Sequence, residues 1–367
     1  MKTGVLALDI GAGGGTKIAL FEGGKPEKSL IAETVFPMDG YQSNFSDYKH
    51  GLFRVIETIL KDSKCLLESC GIASAGVLNT DGSYRQIVNL PFLKGCNIKQ
   101  EVQTYFDVPA VIINDADAGG LAEWSILRTE LLYWVLGGGW GGSWISGEGT
   151  VMHGSLGWQG DDTLLHYTNE PGYAVPLAIK ELDLVFREYG FRFNDYREEW
   201  EKTGKPFPPG PGGRTDCIRA ETVVSGTGRL LLYRMILTRR GSAGEFPSEI
   251  SVSVSDPKEA GAVISRLSAT GDPAALNTDR LFGVVLGMAG VKVFASMGKR
   301  TGTVPVCMAG KPSLALPFFG PSAQRYLSDH GCFHYLRPSV FLDRGANGNL
   351  HGAAVAGERI RGRTADD

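Results

Sequence analysis

No Cys-x-x-Cys pair occurs in this chain, and no His–Cys grouping has metal-ligand spacing; Cys65, Cys70, Cys96, Cys217, Cys307 and Cys332 are scattered. A disulfide scaffold is thereby excluded, and the cysteines read as reduced, mostly buried thiols. An excess of charge of one sign is also missing. The 37 Lys and Arg stand against 40 Asp and Glu, and no basic run precedes the short Arg-rich end after Arg359. That argues against a nucleic-acid face. Long apolar runs are scarce as well. Leu281–Met297 carries Lys292 and falls short of a membrane span, so it reads as a buried helix. Asp9 interrupts the first apolar run too early for a signal peptide. The chain is expected to be soluble and cytoplasmic. At 367 residues it is large for one core, so two domains are expected.

What the chain has in quantity is glycine, 50 residues, and the densest group falls at its start. Val5–Ile10 is apolar but for Asp9, Gly11-Ala-Gly-Gly-Gly15 follows, and Thr16–Phe21 resumes the apolar pattern. This reads as a β-hairpin that delivers one carboxylate to a turn of nearly bare backbone. Glycines there let a ligand approach main-chain N–H groups, as phosphate binding requires. A carboxylate beside them suits Mg²⁺, which binds through one or two carboxylates plus substrate phosphates. Taken alone, the segment is equally well a Gly-rich hairpin in which Asp9 caps a turn.

Farther along, Gly51–Leu67 has helical periodicity, Gly71–Val77 reads as a strand, and Asp81-Gly82 as a turn. A helix is expected near Ile98–Phe106 and a strand over Ala110–Asn114. Strands alternating with helices imply a parallel or mixed sheet covered by helices. Leu131–Leu136 is a second strand that runs into glycines, Gly137–Gly142. Residues 193–216 read as a Pro/Gly-rich loop or insertion without periodicity. Ala260–Met297 is helical in pattern, and Val304–Ala309 is a strand ending at Gly310.

The strand Ala110–Asn114 ends in Asn114-Asp115, followed at once by a helix of small residues. Ligands of open α/β sheets bind beyond the carboxyl ends of strands, where these two residues lie. An N-cap explains one polar residue there, and Asp117 suits such a role; two adjacent ones exceed what a cap needs.

The ordered set of Leu6-Ala-Leu-Asp9-Ile-Gly, Asn114-Asp115 and Gly137–Gly142 resembles the actin-like sugar kinase superfamily, more closely the bacterial glucokinases and the ROK family. Glu221-Thr-Val-Val-Ser225-Gly-Thr-Gly228, the apolar helix up to Lys292, Val306–Gly310 and Gly348-Asn-Leu-His-Gly352 extend the resemblance over nearly the whole chain. It implies an α/β, two-domain actin-like ATPase (ribonuclease H-like) fold with an interdomain cleft. A small domain would span residues 1–113, closed by a C-terminal helix 348–367, and a large one 114–347. Asp115 would be the general base in transfer of phosphate from ATP to a hexose, most often glucose at O6. Asn114, Asp161 and Glu221 would hold the sugar. Asp9 would orient Mg²⁺ through water. Gly11, Gly14, Gly15 and Thr16, with Gly137, Gly138 and Gly139, would hold phosphates, and Gly310 would border the adenosine. Many members are homodimers, so a homodimer is among the implied assemblies.

The chain departs from the pattern at several points. Its first loop, Asp9-Ile-Gly-Ala-Gly-Gly-Gly-Thr16, is longer than Asp-x-Gly-Gly-Thr, and Gly137-Gly-Gly139 lacks the Thr of Gly-Thr-Gly. The sugar-site Gly-Glu-Gly-Gly-His aligns with Gly160-Asp161-Asp-Thr-Leu164, with no His in register. The zinc cluster of many ROK kinases is absent, and no structural zinc is expected. A kinase for another hexose or an N-acetylhexosamine, or a catalytically weak sugar-binding regulator, therefore stays open beside glucokinase.

Overall fold

The computed structural model describes residues 2–11, 15–24, 29–38, 44–87, 90–152, 168–239, 260–298, 303–342 and 347–362, and the backbone of 156–159, 163–166, 257–259 and 343. The chain divides into two compact units: Met1–Glu130 with Ile145–Val151 and Gly345–Asp367, and Leu131–Trp144 with Met152–Arg344. Gly14, Asp161 and the rest of Gly160–Asp162 lie outside the described residues.

The first unit is built on β1 (Lys2–Ile10), β2 (Thr16–Glu22), β3 (Leu30–Phe36), β4 (Cys65–Ser74) and β5 (Ala110–Asn114), in sheet order β3-β2-β1-β4-β5. β1 pairs antiparallel with β2 and parallel with β4, so the apolar run Val5–Leu8 is what a strand buried on both faces demands. One face is covered by α1 (Phe45–Ser63) and α2 (Ile98–Phe106), with Leu6, Leu8, Ile18, Leu52, Ile56 and Val102 in the core between. On the other face lie α3 (Asp115–Leu127) and a helix near the C-terminus, Gly348–Arg359, where the packing residues are mostly alanines. Small side chains let backbones approach closely. A Cβ added at Gly71 of β4 would lie 1.8 Å from the Ala353 carbonyl oxygen.

This packing moves the unit boundary from the expected 113/114 to a point after Glu130. Ala118 of α3 shares its core with Ala7, Ala73 and Ala353, all of the first unit. Two element boundaries also differ from expectation. The helix read over Gly51–Leu67 begins at Phe45, capped by Asn44, and ends before a left-handed Lys64. Cys65–Leu67 then pair in parallel with Lys2–Gly4, so β4 starts six residues before Gly71.

The second unit holds a sheet whose strands are β6 (Leu131–Leu136), β7 (Trp140–Ile145), β8 (Val151–Met152), β9 (Pro305–Ala309) and β10 (Tyr335–Pro338), ordered β8-β7-β6-β9-β10. The turn joining β7 to β8 is counted with the first unit, where Trp124 Nε1 donates to the Gly147 carbonyl at 2.9 Å. Helices α4 (Ile179–Glu188), α5 (Phe193–Glu201), α6 (Gly226–Arg239), α7 (Pro257–Ala269), α8 (Pro273–Ser296) and α9 (Leu316–Asp329) surround one large apolar core. We label the helix Gly348–Arg359 α10.

Three expectations change here. The glycine run after β6 is a turn only over Gly137–Gly139, because β7 resumes at Trp140 and takes Gly141 and Gly142 into the ladder. The insertion begins with a true helix, α5, whose first turn is closed by a hydrogen bond from the Arg192 N–H to Asp195 Oδ2, 2.8 Å. The single helical pattern over Ala260–Met297 is two helices. Gly271 takes φ 86°, Asp272 accepts from the Ala275 N–H at 2.7 Å, and Pro273 opens the second helix. Among the described residues no helix is long and apolar enough to cross a membrane.

Candidate functional site

In the first unit, β1 carries Asp9 almost to its end, and the carboxylate is buried at 5% exposure. Its register partner across the hairpin is Lys17, whose Nζ donates to Asp9 Oδ2 at 2.9 Å. Asn347 Nδ2 donates to the same oxygen at 2.9 Å, and Asn349 Nδ2 to Oδ1 at 3.3 Å. Three donors thus compensate a buried charge that would be costly alone. Sequence reading singled out neither asparagine. Asn347 also caps α10, accepting from the Asn349 and Leu350 N–H groups. An Asn at that cap, with a second Asn two residues on, is the only trace they leave in the sequence.

Gly15 follows with φ 91°, and a Cβ there would lie 2.4 Å from the Phe36 carbonyl oxygen, so only glycine fits. Gly11 faces open space. Thr16 is fully buried and its hydroxyl shares a 2.7 Å hydrogen bond with the Tyr48 hydroxyl. That hydroxyl is committed to the core, unlike the phosphate contact expected of it.

β5 ends at Asn114, and α3 starts with Asp115. The carboxamide oxygen of Asn114 and Oδ1 of Asp115 both accept from the Ala116 N–H, at 2.9 and 3.0 Å. The cap therefore explains one oxygen of Asn114 and one of Asp115, and leaves Asp115 Oδ2 and the Asn114 amide NH₂ with no role in it. Asp115 keeps an accessible edge but is densely surrounded by protein. Burial pushes its carboxyl above the ordinary range, the negative charge of Asp9 adds to this, and the Ala116 N–H opposes it. Asp117, by contrast, is buried in the first turn.

In the second unit, the Gly137–Gly139 turn is closed on itself, the Gly137 N–H donating to the Gly139 carbonyl at 2.8 Å. The Gly226 N–H at the start of α6 donates to the Gly137 carbonyl at 2.9 Å. Glu221 stands against this turn. A Cβ on Gly139 would meet its carboxylate at 2.6 Å, so a side chain there would have to turn the Glu221 carboxylate aside. Burial pushes the Glu221 carboxyl up, opposed by the nearby Arg219 guanidinium and a hydrogen bond from the Trp140 backbone. Gly310 ends β9 at φ 84°, and a Cβ there would lie 1.8 Å from the Leu136 carbonyl oxygen. The turn after β9 thus crosses the end of β6 at backbone contact. Of the residues expected in the site, Asp9, Asn114 and Asp115 belong to the first unit, and Gly137–Gly139, Glu221 and Gly310 to the second.

Residues 5–167 match the ROK family model. Solved structures share the fold over nearly the whole chain. The ROK hexokinase of Thermus thermophilus is 21% identical with a TM-score of 0.63, over 97% of this chain and 98% of its own. A ROK family glucokinase from Streptomyces griseus, solved with glucose and AMPPNP, is 16% identical with a TM-score of 0.61, covering 97% and 99%. A ROK family transcriptional regulator, a homologue of the E. coli MLC protein, is 18% identical with a TM-score of 0.67, covering 97% of this chain and 78% of that one. No curated protein sequence matches the chain. The fold is that of the ROK, actin-like sugar kinases: mixed α/β, with two five-stranded sheets and helices.

Proposed function

We propose that this protein is an ATP-dependent sugar kinase acting on a hexose, with glucose the leading acceptor. The observation that carries the reading is Asp115. It stands at the carboxyl end of a central-sheet strand, has an oxygen left over from capping, and is made more basic by burial and by Asp9. A carboxylate with a raised pKa is a stronger general base in its ionised form. Asp115 would accept the proton of the attacking sugar hydroxyl as that oxygen bonds to the γ-phosphorus and ADP leaves. The free Asn114 amide group and Glu221 would orient ring hydroxyls, and much of the rate would come from that positioning.

Asp9 suits a magnesium ion held through water. Both of its oxygens already accept N–H donors, two at Oδ2 and one at Oδ1, so direct coordination would compete with them, whereas an ordered hydration shell could share them. Such an ion would neutralise phosphate charge. Gly137–Gly139 would bring backbone to the phosphates and Gly310 would admit the adenosine. Cytoplasmic location and a homodimer belong to the same reading.

A sugar-binding regulator is the second reading. It is favoured by the similarity to a ROK transcriptional regulator and by two features of the phosphate loops: the Thr16 hydroxyl is bound to Tyr48, and Gly138 stands where sugar kinases carry Thr. The test is ADP release from Mg·ATP against a panel of hexoses and N-acetylhexosamines with a sugar-free control. Sugar-dependent release supports the kinase and names the acceptor. No release with any sugar, while one of them raises thermal stability, supports the regulator.

A further inference from the structure

The five-stranded sheet of the first unit ends on β5, and the free side of that strand opens on a cavity of about 350 Å³. Pro109–Ile112 line it along the strand, with Lys99 and Ile360 on its flanks. The direction of each backbone group follows from the pairing with β4. The Cys70 N–H donates to the Pro109 carbonyl at 2.9 Å, so residues 109, 111 and 113 address β4. Alternation along the strand then turns the N–H and C=O groups of Ala110 and Ile112 outward. No strand pairs with them on that side among the described residues.

An open edge strand is a template for another strand, and proteins ordinarily blunt it with bulges, prolines or charges. β5 is not blunted in this way. Its register with β4 runs from Cys70–Ala110 to Ser74–Asn114 without a bulge, and Pro109 has its carbonyl turned inward, clear of the outward groups. The charges nearby stand at opposite ends of the strand. Lys99 of α2 lies at the Ile112 end, since a Cβ on Gly82 would meet Ile112 Cγ2 at 3.0 Å and Lys99 Cδ at 3.4 Å. Asp107, exposed and left-handed at φ 52°, ends α2 two residues before β5, at the Ala110 end. Neither side chain forms an ion pair among the described residues. The carboxylate that Lys99 influences, Asp81, is already engaged by the Ser83 hydroxyl and N–H.

We propose that β5 is the dimerisation surface of this protein, pairing antiparallel with β5 of a second copy so that the two sheets become continuous. The edge is self-complementary about a two-fold axis through Val111. Ala110 of each copy then faces Ile112 of the other, a small side chain against a large one, and each pair exchanges two hydrogen bonds through the outward groups. The axis also brings Lys99 of each copy to the end where the other carries Asp107. Charge selects this register. An axis through Ile112 would set the two Lys99 ammonium groups against each other, and one through Ala110 the two Asp107 carboxylates. A slip of one residue would set outward groups opposite inward ones. The interface goes beyond the kinase reading and does not rest on it.

The test is sedimentation velocity of the full chain over about 1–100 µM, where wild type should pass from monomer to dimer. Lys99→Glu and Asp107→Lys should each weaken the dimer about tenfold or more, because each sets like charges together, and the double variant should restore it. Val111→Cys supplies a second, positive readout. Residues facing each other across the axis in a non-hydrogen-bonded pair lie about 4.5 Å apart at Cα, within disulfide reach. That variant should form a covalent dimer under mild oxidation with glutathione disulfide, whereas wild type and the surface control Lys180→Cys should not. A chain that stays monomeric, a double variant no better than the singles, or a Val111→Cys protein that does not cross-link overturns the proposal. A dimer whose affinity ignores Lys99 and Asp107 places the interface on another face and overturns it too. ADP release in the presence of sugars bears on the kinase reading alone, so the two readings fail separately.

Discussion

Replacing Arg229 by Met should destabilise the second unit by about 3–5 kcal/mol, while adding Asp279→Leu should return most of that loss. The pair is fully enclosed, Arg229 being 1% and Asp279 0% exposed. Arg229 Nε donates to Asp279 Oδ1 at 2.7 Å and a terminal nitrogen to Oδ2 at 3.1 Å. The other terminal nitrogen donates to the Gly261 carbonyl and to Ser265 Oγ, both at 3.0 Å, and Ser268 Oγ donates to Asp279 Oδ2 at 2.6 Å. One network thus ties α6, α7 and α8 together. The isolated charge left by a single substitution cannot be hydrated, and this sets the 3–5 kcal/mol scale; two apolar side chains remove the problem altogether. Arg229→Lys should be intermediate, because an ammonium cannot reproduce the planar fork. The assay is urea unfolding followed by fluorescence, for which buried Trp134 and Trp140 report on this unit. A loss below about 1 kcal/mol for Arg229→Met, or a double variant as unstable as the sum of the singles, would refute the reasoning. The consequence reaches the site, since α6 begins with the Gly226 N–H that holds the Gly137 carbonyl.

Asp115→Asn should raise the melting temperature at pH 7. Burial and Asp9 raise the Asp115 pKa on folding, so the folded state binds this proton more tightly than the unfolded chain does. The resulting penalty is absent below the unfolded value, about 3.9, grows as pH rises above it, and levels off once the pH exceeds the higher folded value. The gain in the Asn variant should accordingly vanish towards pH 3.5; a constant difference across that range would contradict the assignment. Gly352→Ala should cost about 1–3 kcal/mol or more in thermal or urea unfolding, because its Cβ would lie 1.7 Å from the Ala118 carbonyl oxygen and push α10 off α3. Stability within experimental error of wild type would show that the two helices separate freely.

The elements that were legible in the sequence are those where local pattern and tertiary role coincide. The apolar run Val5–Leu8 of β1 states that the strand is central, and Asn114-Asp115 after an apolar strand states a strand-to-helix junction. The ordered glycine turns carried the fold. What was hidden depends on residues far apart in sequence. Nothing near Asp9 announces Asn347 and Asn349, which reach it only because α10 returns to the first sheet. The Thr16 hydroxyl looks available in sequence and is taken by Tyr48, 32 residues away. Lys17 reads as an exposed strand residue until the hairpin register sets it opposite Asp9. The Pro/Gly-rich composition around Pro206 masked α5, whose cap is made by Asp195 on a backbone N–H and not by a favoured N-cap residue. Glycine clusters misled by count. Gly141 and Gly142 lie in β7, and a Cβ on Gly142 would come within 2.6 Å of the Thr168 carbonyl oxygen, so that glycine serves packing within the strand.

The most direct test of the account compares phosphoryl transfer and sugar affinity in Asp115→Asn, using the acceptor that supports ADP release in the wild-type protein. If Asp115 is the general base, kcat falls about 10²–10⁴-fold while the sugar dissociation constant stays within a few-fold of wild type. Retention of kcat within tenfold, or equal loss of turnover and sugar binding, would remove Asp115 from that role and the proposed mechanism with it.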